Sequence, residues 1–267
     1  MKANMLIFPP LCLLLCWMLP VDAKEIQLDL VEDSVDDRYL GCNEAMMKII
    51  KDSYLEKEKK YFKWDRIEKK ADKKFEERDN KDLTKEHIQA ICLYTSPHVY
   101  KEFNEAVRTQ KSKYVSSFEY HSLHYLLTSA IQILRDPCQT TYRRVSIEFT
   151  GEVKKIIRFG SFASSSSRPD VKKYGSKTCF EINTCYAARL NKYSFVYDYD
   201  QNKDPDEEVL IPPYEVFKIT KKMKGPVKSK GLEDCEVLFV LDSAGVQSNL
   251  NCKVEQFKNL LLVKAKL

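Results

Sequence analysis

Residues 206 to 217 read Asp206-Glu207-Glu208-Val209-Leu210-Ile211-Pro212-Pro213-Tyr214-Glu215-Val216-Phe217, a run of carboxylates joined directly to an apolar strand that two prolines then stop. Acidic clusters usually lie in solvated loops. This one abuts Val209-Leu210-Ile211, so at least one carboxylate is held at a strand edge on a buried framework. Position and local dielectric are what let a carboxylate stabilise a cation or take a proton. Side chains two apart along a strand share a side, so Asp206 and Glu208 are expected to face the same way. Two upstream segments carry further chemistry, Tyr142-Arg143 and Arg158-Phe159-Gly160-Ser161-Phe162-Ala163-Ser164-Ser165-Ser166. A planar guanidinium suits phosphates because it makes bidentate, charge-assisted bonds; on its own Arg143 reads first as a surface ion-pair residue. A serine run with no histidine beside it is no hydrolase nucleophile, and alone it reads as a flexible loop.

The elements that must position these groups fall into two textures. From Asn43 to about Leu134 apolar residues mostly recur every three or four positions: Ile88, Ile91, Cys92 and Thr95 make one face, and Leu123, Leu126, Leu127, Ala130, Ile131 and Leu134 another. This spacing predicts helices. Thr84-Lys85-Glu86-His87 offers a start and Asp136-Pro137 a stop. After Cys138 the chain turns to short β-rich runs at 145–149, 155–159, 178–182, 193–197, 208–211, 215–219 and 237–241, several separated by turn residues such as Thr150-Gly151 and Tyr174-Gly175. The sum is α+β, a helical half followed by a β-rich half. No internal repeat and no Asn-x-Ser/Thr site is present.

The first 23 residues, with Lys2, a largely apolar stretch from Met5 to Leu19 and Val21-Asp22-Ala23, are expected to form a secretory signal cleaved after Ala23, being too short to span a bilayer. The remaining chain, 24–267, suffices for a single domain, with 24–137 mainly helical and 138–255 mainly β. Its last residues, Leu260-Leu261-Leu262-Val263 and then lysines, lack the hydrophobic tail of a lipid-anchor signal; a secreted, extracellular protein without a membrane anchor is expected, and a monomer. The formal net charge is +5 with 31% charged residues. The lysines between Lys48 and Lys81 are interleaved with Glu56, Glu58, Asp65, Glu68, Asp72, Glu76 and Glu77 at helical spacings, a solvated helix face with i,i+4 pairs. Polyanions are recruited where one sign dominates, so no nucleic-acid partner is expected. Beyond the signal, Cys42, Cys92, Cys138, Cys179, Cys185, Cys235 and Cys252 remain. In an oxidising compartment most should pair, and an odd number leaves one over. No Cys-x-x-Cys spacing appears, and His121 and His124, at i,i+3, are two ligands without a third, so no metal is expected.

An arginine, a serine cluster after a strand and a glutamate at a strand edge, in that order, resemble the R-S-E signature of the vertebrate ecto-mono-ADP-ribosyltransferases. The flanking sequence is similar too: Glu25-Ile26-Gln27-Leu28-Asp29 with Asp36-Asp37-Arg38-Tyr39-Leu40-Gly41-Cys42 at the mature N-terminus, Tyr120 to Leu134 in the central helix, and Asn249-Leu250-Asn251-Cys252 near the end. The resemblance covers nearly the whole mature chain. It implies a disulfide-braced ADP-ribosyltransferase fold and NAD as substrate, cleaved at the nicotinamide-ribose bond with transfer of ADP-ribose to arginine side chains of extracellular or cell-surface proteins. It further implies that Tyr142 and Arg143 bind NAD, that Ser164 contacts the ribose and holds the glutamate with Ser166 in support, and that Glu208 is the principal catalytic carboxylate. Tyr174 is a candidate for stacking on nicotinamide, a core aromatic being its plain alternative. Disulfides Cys42 to Cys252 and Cys138 to Cys185 follow from the same resemblance, leaving Cys92, Cys179 and Cys235 unassigned. Two positions depart from the family pattern. Asp206 stands where arginine-specific members have glutamate, one methylene shorter, and a displacement of about 1 Å in a catalytic group can cost on the order of a hundredfold. Arg144 replaces a usual glycine, and a side chain there would either crowd the pyrophosphate or add a contact to it. Two alternatives therefore stand beside arginine transfer: a protein that mainly hydrolyses NAD, and a catalytically silent binding protein on the same scaffold.

Overall fold

The computed structural model describes residues 25–197 and 207–264, so the N-terminal signal region and Asp206 lie outside the described residues. In chain order the elements are β1 (Ile26–Gln27), α1 (Asn43–Ser53), α2 (Leu55–Tyr61), α3 (Glu68–Glu76), α4 (Lys85–Tyr94), α5 (Tyr100–Thr109), α6 (His121–Leu134), β2 (Gln139–Val145), β3 (Phe149–Thr150), β4 (Ile156–Ile157), β5 (Ala163–Ser166), β6 (Thr178–Thr184), β7 (Ala188–Arg189), β8 (Glu208–Ile211), β9 (Glu215–Lys224), β10 (Val237–Val246) and α7 (Lys253–Lys264). The helices come first and the sheet second, with α7 returning to pack beside α1.

Eight strands form one mixed sheet in the order β4-β9-β10-β6-β2-β5-β8-β7. Only the β10–β6 pairing in it is parallel. Alternation along the strands divides the core. Leu210 and Ala188 face the helical layer, where α4 and α6 bury Ile88, Ile91, Leu123, Leu126 and Leu127. Val209, Ile211, Phe180, Ile182, Phe217 and Phe239 pack on the opposite side.

Local chemistry explains where the key helices begin. Thr84 caps α4 reciprocally: its Oγ1 accepts from the His87 N–H at 3.4 Å, and His87 Nδ1 accepts from the Thr84 N–H at 3.1 Å. The start of α6 borrows its cap from another helix, since the Glu58 carboxylate of α2 accepts from the Ser122 and Leu123 N–H groups at 2.7 and 3.2 Å. The lysine-rich stretch is therefore not wholly solvated. Glu58 and Lys74 are both buried, and Lys74 donates to the Lys192 carbonyl at 2.7 Å.

Several strand boundaries differ from the sequence reading. Residues 193–197 form no strand but follow a short helical turn, Asn191–Tyr193. The strand carrying Arg143 begins at Gln139 and ends where one was expected to begin, at Val145. The chain ends are fastened together by Asp36, which accepts from the Asn249 and Leu250 N–H groups and pairs with the fully buried Arg158 at 2.6 Å. Disulfides join Cys42 to Cys252 and Cys138 to Cys185, and a third joins Cys179 to Cys235. Among the described residues Cys92 alone is free, buried in α4.

Candidate active site

The serine cluster is not a loop. Ala163–Ser166 is strand β5, placed between β2 and β8, so the three chemical segments lie side by side. Register aligns Tyr142, Ser166 and Glu208 in one row across three strands. Ser164 is on the same face two residues back, opposite Leu210. Ser165 points the other way and is structural: it accepts from Thr141 Oγ1 at 2.9 Å and donates to the Val209 carbonyl at 2.8 Å.

Above the row opens a cavity of about 450 Å³, within the ordinary size range of small-molecule sites. Its walls come from three directions. The end of α4 supplies Tyr94 and Thr95, and Tyr100 begins α5. The segment after β5 supplies Arg168, Val171 and Tyr174, while Val196 and Glu208 close the far side.

Arg143 alternates with Tyr142 and so leaves the strand on the opposite face, beside Phe180. The residue nevertheless contributes to the cavity lining, and its guanidinium donates to the Ser164 carbonyl at 2.5 Å and lies 5.9 Å from the Phe159 ring centroid. Glu208 accepts from the buried Ser194 hydroxyl at 3.3 Å, and its backbone carbonyl accepts from Leu190 N–H at 2.9 Å, which fixes the strand edge that carries it. Ser166 Oγ accepts from the Arg168 N–H at 2.9 Å. Tyr174 is 51% exposed at the mouth of the cavity, which removes the core-aromatic alternative. Glu207 adopts φ 46°, so extended alternation does not run upstream through it, and strand geometry does not put Asp206 on the side of Glu208.

Arg144 belongs to the cavity's framework. Its side chain is 2% exposed and pairs with Asp234 at 2.5 Å. Its other donors reach the carbonyls of Gly175, Pro169 and Gly231 at 3.0, 3.2 and 3.0 Å. The guanidinium so beside it holds the Asp234 carboxyl below its ordinary pKa. Gly175, at φ 117°, lies so close to Ser146 that an added Cβ would be 2.6 Å from its backbone nitrogen. Arg144 and this close approach together hold the 168–175 segment against β2, and the Cys179–Cys235 bond anchors the 231–235 segment behind it.

The sequence reading missed Tyr94, Tyr100 and Val196 as cavity residues, and Ser194 as the buried hydroxyl behind Glu208. Tyr94 carries no separate signal, because a tyrosine on the apolar face of a helix reads as core. It is both core and cavity wall: burial, then the neighbouring Tyr100, pushes its phenol well above the ordinary value. His121 and His124 are packed in the helical layer, where burial lowers both, His124 to about 4. Among the described residues no group of three metal-binding side chains occurs.

The fold is similar to that of solved mono-ADP-ribosyltransferases. A mutant of the eukaryotic mono-ADP-ribosyltransferase ART2.2 in complex with NADH superposes with a TM-score of 0.68 at 28% identity, covering 85% of this chain and 98% of that one. Another ART2.2 mutant, in complex with NAD, gives a TM-score of 0.65 at 28% identity over the same shares. The sequence model of the NAD:arginine ADP-ribosyltransferase family matches residues 28–230, and the chain belongs to that family. Among its relatives, ecto-ADP-ribosyltransferase 4 of Homo sapiens is 31% identical over 254 residues, 87% of this chain and 74% of that one. NAD(P)(+)--arginine ADP-ribosyltransferase 2 of Gallus gallus is 30% identical over 85% of this chain and 72% of its own length. Ecto-ADP-ribosyltransferase 5 of Bos taurus is 36% identical, over 84% and 73% respectively.

Proposed function

We propose that this protein cleaves NAD at the nicotinamide-ribose bond and transfers ADP-ribose to arginine side chains of proteins on the extracellular side of the cell. The observation that carries this reading is the row of Tyr142, Ser166 and Glu208 beneath a cavity whose rim holds Arg143. Relatives described as arginine ADP-ribosyltransferases and as ecto-enzymes support it, as do the disulfides, which persist in oxidising compartments.

The chemistry follows from what the substrate presents. The C–N bond to nicotinamide breaks with its electron pair going to the ring nitrogen, leaving positive charge at the anomeric carbon. The Glu208 carboxylate, fixed at the strand edge, stabilises that charge, as carboxylates do in glycoside cleavage. Arg143 neutralises the diphosphate as a planar, permanently charged donor. A guanidine nitrogen of the acceptor then bonds the anomeric carbon and gives up a proton, for which Asp206, two residues before Glu208 in the sequence, is the proposed recipient. Its shorter side chain favours water over arginine as acceptor, which is the ground for NAD hydrolysis as a competing outcome.

Incubating the purified protein with NAD and agmatine, and following nicotinamide release together with ADP-ribosyl-agmatine, tests the reading. Both products are expected. Nicotinamide without the agmatine adduct would make the protein an NAD glycohydrolase, and neither product from folded protein would leave a silent scaffold.

A further inference from the structure

The hydroxyl of Ser164 faces the cavity, and its direction is set from the helical layer. Tyr94, the last residue of α4, has one phenolic proton. It goes to the Phe162 carbonyl 3.1 Å away, because a carbonyl can only accept. The same phenolic oxygen accepts from Asn104 Nδ2 of α5 at 3.2 Å. Ser164 Oγ lies 3.4 Å from that oxygen. With the phenol's proton already committed, only the serine's own proton can bridge the gap. Tyr94 and Asn104 are both buried, so no solvent exchange relaxes this order.

We infer that Tyr94 is a positioning residue that fixes Ser164 as a donor to the phenol, so that Ser164 Oγ meets the ligand only as a hydrogen-bond acceptor. Glu208, on the same face, presents carboxylate oxygens. The cleft floor thus offers two acceptors, the complement of a vicinal diol that donates two protons, as a ribose does. This inference rests on the NAD-cleaving reading and adds which serine accepts, and why.

The test has two arms. The first uses the unaltered protein and calorimetric binding of NAD against analogues in which each nicotinamide-ribose hydroxyl in turn is replaced by hydrogen or by fluorine. Fluorine cannot donate. At the hydroxyl that meets Ser164, both replacements should weaken binding alike, by roughly fivefold to tenfold, the worth of one hydrogen bond. A fluorine analogue that binds as tightly as NAD at both positions would overturn the inference. The second arm measures kcat/KM for NAD in Tyr94→Phe, Ser164→Ala and the double variant. Tyr94→Phe alone should lose roughly fivefold to tenfold, and in the Ser164→Ala background it should lose nothing further. Additive losses would show that Tyr94 supports only the fold. If Tyr94→Phe does not fold, the analogue series still decides the polarity of Ser164. A wild type that turns over NAD while Tyr94→Phe matches it sinks this inference alone; a wild type that binds no NAD sinks the functional reading and this inference together.

Discussion

Three neighbouring serines on one strand have two different jobs, and substitution should separate them. Ser165→Ala deletes a hydroxyl that ties Thr141 to the Val209 carbonyl inside the sheet. It should cost about 1–3 kcal/mol in denaturant unfolding, with kcat/KM little changed in the protein that remains folded. Ser164→Ala should do the reverse. Equal effects of the two on turnover would contradict the alternation along β5. Glu208→Gln keeps size and removes charge, so nicotinamide release should fall on the order of a hundredfold or more while the melting temperature holds; retained turnover would remove Glu208 from the mechanism. Asp206→Glu should raise the ratio of agmatine transfer to hydrolysis, and an unchanged ratio would show that side-chain length is not limiting. At this scale much was legible in advance. Alone, Arg143 reads as a surface residue, Ser164 as part of a loop and Tyr174 as a loop or core aromatic; the family resemblance singled them out with Glu208, and all four line one cavity. Tyr94 carries no such mark, because nothing in a helical repeat tells which buried tyrosine will also line a cavity.

Elements here depend on charges borrowed from one another. Glu58 of α2 caps α6, and its burial raises its pKa from 4.5 to about 7, against the lowering effect of the N–H groups it accepts from. A carboxyl whose folded pKa is raised adds stability below its unfolded pKa, and loses it as pH climbs through the folded one. At about 1.4 kcal/mol per pH unit, the stability difference between wild type and Glu58→Gln should shrink by roughly 3 kcal/mol between pH 4.5 and 7.5. The comparison with the glutamine variant is needed because His87, His121 and His124, all lowered by burial, push the other way below pH 6.5. A difference that stays flat with pH, in chemical unfolding, would mean the carboxylate is not desolvated as the structure shows. Helix existence was readable from periodicity, and the Thr84 start from its capping chemistry. The cap of α6 was not, since the carboxylate that accepts from its first N–H groups lies 64 residues away in sequence. The strand from Gln139 was missed for a related reason: Thr140, Tyr142 and Arg144 look like a polar stretch until Asp234 and three carbonyls from distant loops satisfy the buried guanidinium.

Over the whole molecule, covalent and polar ties fasten one end of the chain to the other. Cys42 and Cys252 are 210 residues apart, and Asp36 and Asp37 hold Asn249 to Lys253 through backbone N–H groups beside them. Closing so long a loop is worth on the order of 5 kcal/mol by chain entropy, so this bond should dominate the response to reduction. The cysteine arithmetic of the sequence left one thiol over without saying which, because pairing depends on which strands become neighbours; β6 and the segment before β10 bring Cys179 and Cys235 together. That leaves Cys92, fully buried, with a thiol that burial pushes up to about 12 and that points at the Tyr193 carbonyl. A thiol that is neutral and inaccessible neither exchanges disulfides nor bridges two molecules. Titration with a thiol reagent should therefore find no reactive group in the native protein and one per chain in denaturant without reductant. Non-reducing peptide mapping should place Cys42 with Cys252, Cys138 with Cys185 and Cys179 with Cys235. A native thiol that reacts within minutes, or a disulfide-linked dimer on a non-reducing gel, would require Cys92 to leave the helical core, and the packing of α4 described here would be wrong.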